Sequence, residues 1–412
     1  MNPSDITFDI IIIGAGPAGL LTASHLPREK QILLLEKNDS PGRKLLISGS
    51  GRCNFTHIGN TDDFFSHYGD NPRFLKTALN TFSNTDAIAF FRKRGLPTTV
   101  DKNGKVFPQS DRSRDILDVL IRECQSKGVV IRCNHAVLDL EIIETDAYRF
   151  RVKTSRGDFA CRKLVIATGG KSYPSTGSTG DGYRFAEKLG HTVTRLKPAL
   201  TPVFVKNYPF AEISGTSLPH RTVSLYRKNK KINAHTGDIG FTHNGLSGPG
   251  ILDFSRYIET NDTLKIDFIH RRIQDFTDEL IRESEHNGKT TIQTFLKRYA
   301  IPSRLISILL QTLTIDPGAQ LARITRTMRT GLGESLCEYP FVVEHPGGFD
   351  IAMVTAGGIA LNEISAQTME SKRMSGLFFA GEIMDIDGHT GGYNIQAAFS
   401  TGYLAAQGCR RE

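Results

Sequence analysis

Phe8-Asp9-Ile10-Ile11-Ile12-Ile13-Gly14-Ala15-Gly16-Pro17-Ala18-Gly19 decides the fold of this 412-residue chain. The run ending at Ile13 is apolar and β-branched, as expected of a central strand buried on both faces of a parallel sheet. It feeds directly into G-x-G-x-x-G and a helical stretch from Leu20 to Leu26. Gly14 serves the tight turn, Gly16 lets a pyrophosphate approach the backbone, and Gly19 lets helix and strand pack closely. Pro17 and Ala18 stand at the helix start, whose free N–H groups and dipole favour phosphates. A second buried strand, Gln31-Ile32-Leu33-Leu34-Leu35, ends at Glu36, 17 residues after Gly19 and followed by Lys37. A carboxylate there accepts both ribose hydroxyls and repels a 2′-phosphate. Strand, turn, helix, strand and terminal acid in this order predict a nucleotide-binding Rossmann-like domain.

The motif suits FAD and NAD alike, and the rest of the chain favours FAD. Pro41-Gly42-Arg43-Lys44 leads to Ser48-Gly49-Ser50-Gly51-Arg52-Cys53-Asn54, a second glycine-rich stretch whose cations suit a pyrophosphate and a ribityl chain. Leu164-Val165-Ile166 is a further buried strand, closing in Ala167-Thr168-Gly169. Val137 is placed with these cofactor-side residues. Near the C-terminus, a strand ends in Gly381-Glu382, with Asp385 close behind, and Gly391-Gly392-Tyr393-Asn394 opens a helix. Its free N–H groups suit the N1–C2=O edge of a flavin, where negative charge collects on reduction.

These residues also carry a resemblance. The chain resembles the bacterial BaiN/YhiN-like FAD-dependent oxidoreductases, the aminoacetone-oxidase-type flavoproteins, along nearly its whole length. The matching segments are 41–44 and 48–54, Phe241-Thr242-His243-Asn244-Gly245-Leu246-Ser247-Gly248-Pro249, Ala356-Gly357-Gly358-Ile359, Thr368-Met369-Glu370-Ser371-Lys372 and 391–394. Ser50 departs from the family's usual glycine, a change tolerated if the backbone there keeps φ below zero. The resemblance implies an α/β fold: an FAD-binding Rossmann-like domain of the two-dinucleotide-binding type, an inserted antiparallel β domain and a small helical insertion. It also implies a C=C-reducing oxidoreductase and, in the YhiN-like branch, reduction of uridine to dihydrouridine in ribosomal RNA.

The hydrophobic pattern supports that partition. Short alternating runs such as Thr222-Val223-Ser224-Leu225-Tyr226 and Leu264-Lys265-Ile266-Asp267-Phe268 predict antiparallel strands. From Ile273 to about Ala322 the period becomes helical, and parallel-sheet signals resume near Leu377. The expected division is 1–195 with 346–412 for the FAD domain, 196–272 with 331–345 for the β domain, and 273–330 for the helices. Composition is that of a globular protein, with 39% hydrophobic and 23% charged residues. No run reaches 18 apolar residues, so no membrane partner is expected. Asp5 and Asp9 occupy the place of a signal peptide's basic region, which places the chain in the cytoplasm. Six scattered cysteines without CxxC or zinc spacing read as free thiols, with no metal site.

A flavin oxidoreductase must place its substrate, supply a proton where one is needed and exclude water. Cys53 has no partner cysteine before Cys124, so dithiol chemistry is rejected. A second G-x-G-x-x-G for NAD(P)H is absent as well, since Gly177-Ser178-Thr179-Gly180-Asp181-Gly182 has the wrong spacing, leaving NAD(P)H as a transient reductant. Gly180-Asp181-Gly182-Tyr183 instead resembles a flavin-contacting turn of fumarate-reductase-like flavoproteins. Candidate proton donors are Cys53, His389 and His243, with Tyr173 beside them. Each has a plainer reading: a packed thiol, an exposed loop histidine, a hydrogen-bonded turn, a packing aromatic. The expected substrate is a small molecule with a reducible C=C bond. RNA is the alternative partner, suited to the net charge of +8, and a non-catalytic FAD-binding protein is the competing class.

Overall fold

The computed structural model describes residues 6–143, 145 and 148–411, which leaves Asp5 outside it. It divides into two compact units, Met1–Ala199 with Ala352–Glu412, and Leu200–Ile351. The sequence reading draws these boundaries at 195/196 and 345/346. An antiparallel pair, Lys197–Ala199 with Val354–Ala356, holds both of those segments in the first unit.

In the first unit β1 (Ile6–Ile13) runs parallel to β2 (Ile32–Leu35) on one side and to Gly157–Ile166 on the other. Ile10 to Ile13 are at most 5% exposed, which is why the run shows no polar alternation. Helix α1 (Pro17–Ser24) connects the first pair. Gly157–Ile166 shares its far edge between two partners. Its first half pairs with antiparallel Phe150–Thr154, and its last three residues with parallel Leu377–Phe379. The carboxyl ends of β1, Gly157–Ile166 and Leu377–Phe379 therefore emerge side by side. Chain leaves β1 toward neighbours on both sides, the switch point at which open α/β sheets bind ligands.

The second unit is a closed antiparallel barrel. Its strands follow the order Val203–Val205, Gly245–Ser247, Lys230–Phe241, Ser217–Arg227, Thr263–Asp267 and Tyr339–Pro346. Helices Ile273–His286, Ile292–Leu296, Ser303–Thr312 and Arg326–Cys337 share its hydrophobic core through Phe276, Leu280, Phe295, Leu305 and Leu336. Closure removes the free sheet edges that short strands would otherwise expose. No described helix is long and apolar enough to cross a membrane, and all six cysteines are free thiols.

His25, just past α1, makes the first unit sensitive to acid. Its ring packs against Phe82, Phe90 and Tyr403 at 4.9 to 6.0 Å, with Nδ1 2.9 Å from the Leu21 carbonyl oxygen. Burial, helped by the charges of Arg94, Arg410 and Lys127 and opposed by that carbonyl, lowers its pKa from 6.5 to about 4. The unfolded chain then binds this proton more readily than the folded one, so the stability contribution is complete above pH 6.5 and is lost as pH falls toward 4. Wild type should lose about 3 kcal/mol more than His25→Phe between pH 7 and pH 4, measured by urea unfolding. Equal losses would remove His25 as the cause.

Candidate functional site

Helix α1 opens at Gly16, in extended conformation, with Pro17 at its first turn and no side-chain cap. Its first N–H groups therefore lack intrahelical partners. A Cβ built on Gly16 would meet nothing within 4 Å, whereas one on Gly19 would stand 1.9 Å from the Gly14 carbonyl oxygen. Gly16 thus faces open space and Gly19 is required by close packing. Glu36 is 8% exposed at the end of β2. Its carboxylate accepts from the Ala15 N–H at 3.0 Å, and from the Asn38 N–H at 2.9 Å and side-chain amide at 2.8 Å. The chain that leads to Val137 passes beside it, the His135 N–H donating to the Glu36 carbonyl.

The four cations singled out in the sequence are each neutralised by an acid. Lys37 pairs with Asp181 at 2.7 Å, Arg43 with Asp39 at 2.7 Å, Lys44 with Glu382 at 3.0 Å, and Arg52 with Asp111 at 2.7 Å. Positive potential for an anionic ligand therefore comes mainly from the helix start and its N–H groups. The Lys44–Glu382 pair is also a hub, in which Ser172 Oγ and the Thr355 N–H donate to Glu382 at 2.9 Å.

The loop that carries Cys53 begins with three left-handed residues, Gly49, Ser50 and Gly51. Ser50 has φ +58°, which corrects the expectation of a negative φ: the serine retains a glycine-like conformation at a cost of about 1–2 kcal/mol. Cys53, also left-handed, is fully buried. Burial, partly offset by Ser48, pushes its thiol up to about 12. Asn54 spends its side-chain amide on the carbonyls of Thr56 and Val106.

On the far side, Ala167, Thr168 and Gly169 leave the Gly157–Ile166 strand, the Ala167 N–H donating to the Ile13 carbonyl. A Cβ on Gly381 would stand 2.8 Å from that of Ala18, so the Leu377–Phe379 strand delivers Gly381 onto the start of α1. A small cavity beside it is lined by Gly381, Glu382, Ile386, Asn394, Ala397 and Thr401. The C-terminal helix Tyr393–Arg410 opens at Gly392, φ +97°, again without a side-chain cap. A Cβ there would stand 2.7 Å from the Thr56 backbone. Asn394 clamps the preceding loop: its oxygen accepts from the Gly388 N–H, and its amide donates to the carbonyls of Gly388 and His389. The Asp385 N–H is held by the Ile359 carbonyl. Among the described residues, Thr56 Oγ1 and Tyr183 Oη of these segments are buried without hydrogen-bond partners. Burial, with Glu382 and Asp385 nearby, keeps the Tyr183 phenol well above its ordinary value and hence protonated. Open space at Gly16, two uncapped helix starts and orphaned buried hydroxyls fit an extended dinucleotide.

The proposed proton donors separate. His389 is half-buried in the clamped loop before the C-terminal helix. His243 lies in the other unit, exposed on the turn closed by the Thr242 N–H and the Gly245 carbonyl. Tyr173 is 37% exposed, on the loop that follows the Gly157–Ile166 strand. His67, Ser172 and Thr355 were missed because no local motif marks them; tertiary contacts bring His67 to His389 across 322 residues, Ser172 to Glu382 across 210 and Thr355 to Glu382 across 27.

The family model for the HI0933-like protein Rossmann domain matches residues 8–408. The ribosomal RNA dihydrouridine synthase of Escherichia coli is 32% identical over 97% of each chain. The 3-dehydro-bile acid delta(4,6)-reductase of Clostridium scindens is 30% identical over 96% of this chain and 97% of its own. Among solved structures, an E. coli quinol fumarate reductase matches with TM-score 0.50 at 15% identity, covering 98% of this chain and 70% of that one, a likeness of fold.

Proposed function

We infer the reaction from one premise: this chain belongs to the HI0933-like family of FAD-dependent oxidoreductases. We propose that its substrate carries a C=C bond conjugated to a carbonyl. The observation that carries this is the shared chemistry of two full-length relatives named for different substrates. Saturating uridine, and reducing a delta(4,6) 3-dehydro bile acid, both add hydride and proton across a double bond activated by a neighbouring carbonyl. Bound FAD, once reduced, supplies the hydride. The turn shaped by Gly14 and Gly19 would hold its pyrophosphate at the open face of Gly16, Glu36 would hold its ribose, and the segments at 48–54, 167–169, 381–382 and 391–394 the remainder. His389 supplies the proton, and NAD(P)H is the reductant.

The RNA form of this reading is favoured by charge on the second unit. Lys228, Lys230 and Lys231 are exposed at a hairpin tip and Arg323 and Arg326 on the helices. By contrast Arg227 is tied to Asp262 at 2.8 Å and Arg272 to Asp275. Photoreduced protein, mixed anaerobically with a 3-keto-delta(4,6) steroid or with unmodified ribosomal RNA, should recover its oxidised-flavin absorbance with one of them. If RNA does so, its affinity should fall with salt by about 0.7 log units per log salt for each phosphate neutralised. Reoxidation by neither, with product absent in both, rejects the substrate class.

A further inference from the structure

His67 and His389 come from segments 322 residues apart, yet their Nδ1 atoms lie 3.3 Å from each other. Two contacts fix the approach. The His389 N–H donates to the His67 carbonyl at 2.8 Å. The His67 ring lies flat on Tyr393, with centroids 4.1 Å apart and planes within 12°, while the two imidazoles meet edge-on at 86°. Tyr393 is itself held by His57, stacked at 5.4 Å, whose ring nitrogens sit 2.6 and 2.8 Å from the Ile58 and Asn103 carbonyl oxygens. The Tyr68 hydroxyl donates to the Tyr393 carbonyl. The other titratable groups on the packed segments are Asp62, Asp63, Asp70, Asp385 and Asp387, and Asp63 accepts from the Asn60 N–H.

We propose that His67 is a positioning residue that fixes the tautomer of His389 and returns its proton, an inference that rests on the reading of His389 as proton donor. Two ring nitrogens at this distance bond only when one carries a hydrogen and the other a lone pair. With the hydrogen on His67, His389 must carry its own on Nε2, the form that donates. In the proton transfer the His389 Nε2–H bond breaks as the substrate C–H bond forms. The Nδ1 proton of His67 crosses to His389 Nδ1 and His67 Nε2 takes a proton from water; once product leaves, His389 Nε2 takes a proton from water, its Nδ1 proton returns to His67 and the His67 Nε2 proton goes back to water, which restores the starting tautomers. Hydride and proton saturate the double bond, and one solvent proton is consumed. Because both rings cannot readily be cationic so close together, the pair titrates in two shared steps.

The test needs no turnover for its first readout. Histidine-selective NMR of the FAD-loaded protein across pH should show the His67 and His389 rings moving together in two steps. In His67→Leu the His389 signal should collapse to one step. Reduction of an α,β-unsaturated ketone by His67→Leu should fall about 10²-fold in kcat with KM within twofold, and His67→Asn, which keeps an N–H near the Nδ1 position, should recover most of it. An unaltered His389 titration in His67→Leu, or full turnover by that variant, overturns the proposal. Coupled titration in a protein that reduces neither the ketone nor RNA leaves the pair standing and rejects the reading of function.

Discussion

Gly16→Val should emerge from purification colourless where the wild type is yellow, with the same fold. Neighbours fill the space beside Gly14 and Gly19, where side chains would break the strand-to-helix turn, but a Cβ on Gly16 meets nothing within 4 Å. A valine there costs little in folding and occupies the volume that a pyrophosphate must enter, in front of the uncapped start of α1. Bound FAD should fall from about one per chain to a few per cent. Circular dichroism of the FAD-stripped proteins should match and the unfolding free energy should fall by no more than about 1 kcal/mol, because Gly16 stands at the start of α1, where valine is a poorer N-cap residue than glycine. A yellow Gly16→Val protein with full FAD would place the pyrophosphate elsewhere. An unfolded variant would mean that the open face is structural, and Gly16→Ala would then distinguish packing from occupancy.

His389→Gln should slow substrate reduction by about 10² to 10⁴-fold while FAD binding and reduction by the donor stay intact, the signature of a lost proton donor. Cys53→Ala is the paired control. That thiol is fully buried and pushed up to about 12, and it belongs to the hydrophobic core of the first unit. Its truncation should cost about 1 kcal/mol in stability, as a small core cavity does, and leave turnover within threefold. Stopped-flow reoxidation of photoreduced protein reads both variants. The reverse pattern, a crippled Cys53→Ala and an active His389→Gln, would return the donor role to the thiol.

Some of this protein was determined by the sequence alone, because its physical causes are local. A strand buried on both faces has to be apolar throughout, a pyrophosphate-binding turn has to lack side chains, and a ribose-binding acid has to stand at the end of the next strand. Ile10 to Ile13, Gly14 to Gly19 and Glu36 meet these conditions within 27 residues. The break to alternating and then helical periods marked the inserted unit for the same reason. Closure of the barrel was not legible, since it depends on pairings such as Val203 with Leu246 and with Pro346 that span up to 143 residues. Nor was the fate of the charges. In the sequence Lys44 and Arg52 suit a pyrophosphate, and only the fold pairs them with Glu382 and Asp111, as it pairs Lys37 with Asp181. The same limit hid His67, an unremarkable residue after a short helix. It meets His389 only because the 66–70 segment bridges back to 387–389, through the Gly69 N–H to the Asp387 carbonyl and the His389 N–H to the His67 carbonyl. Local patterns fix what a segment must be, and long-range return of the chain decides which polar groups it faces.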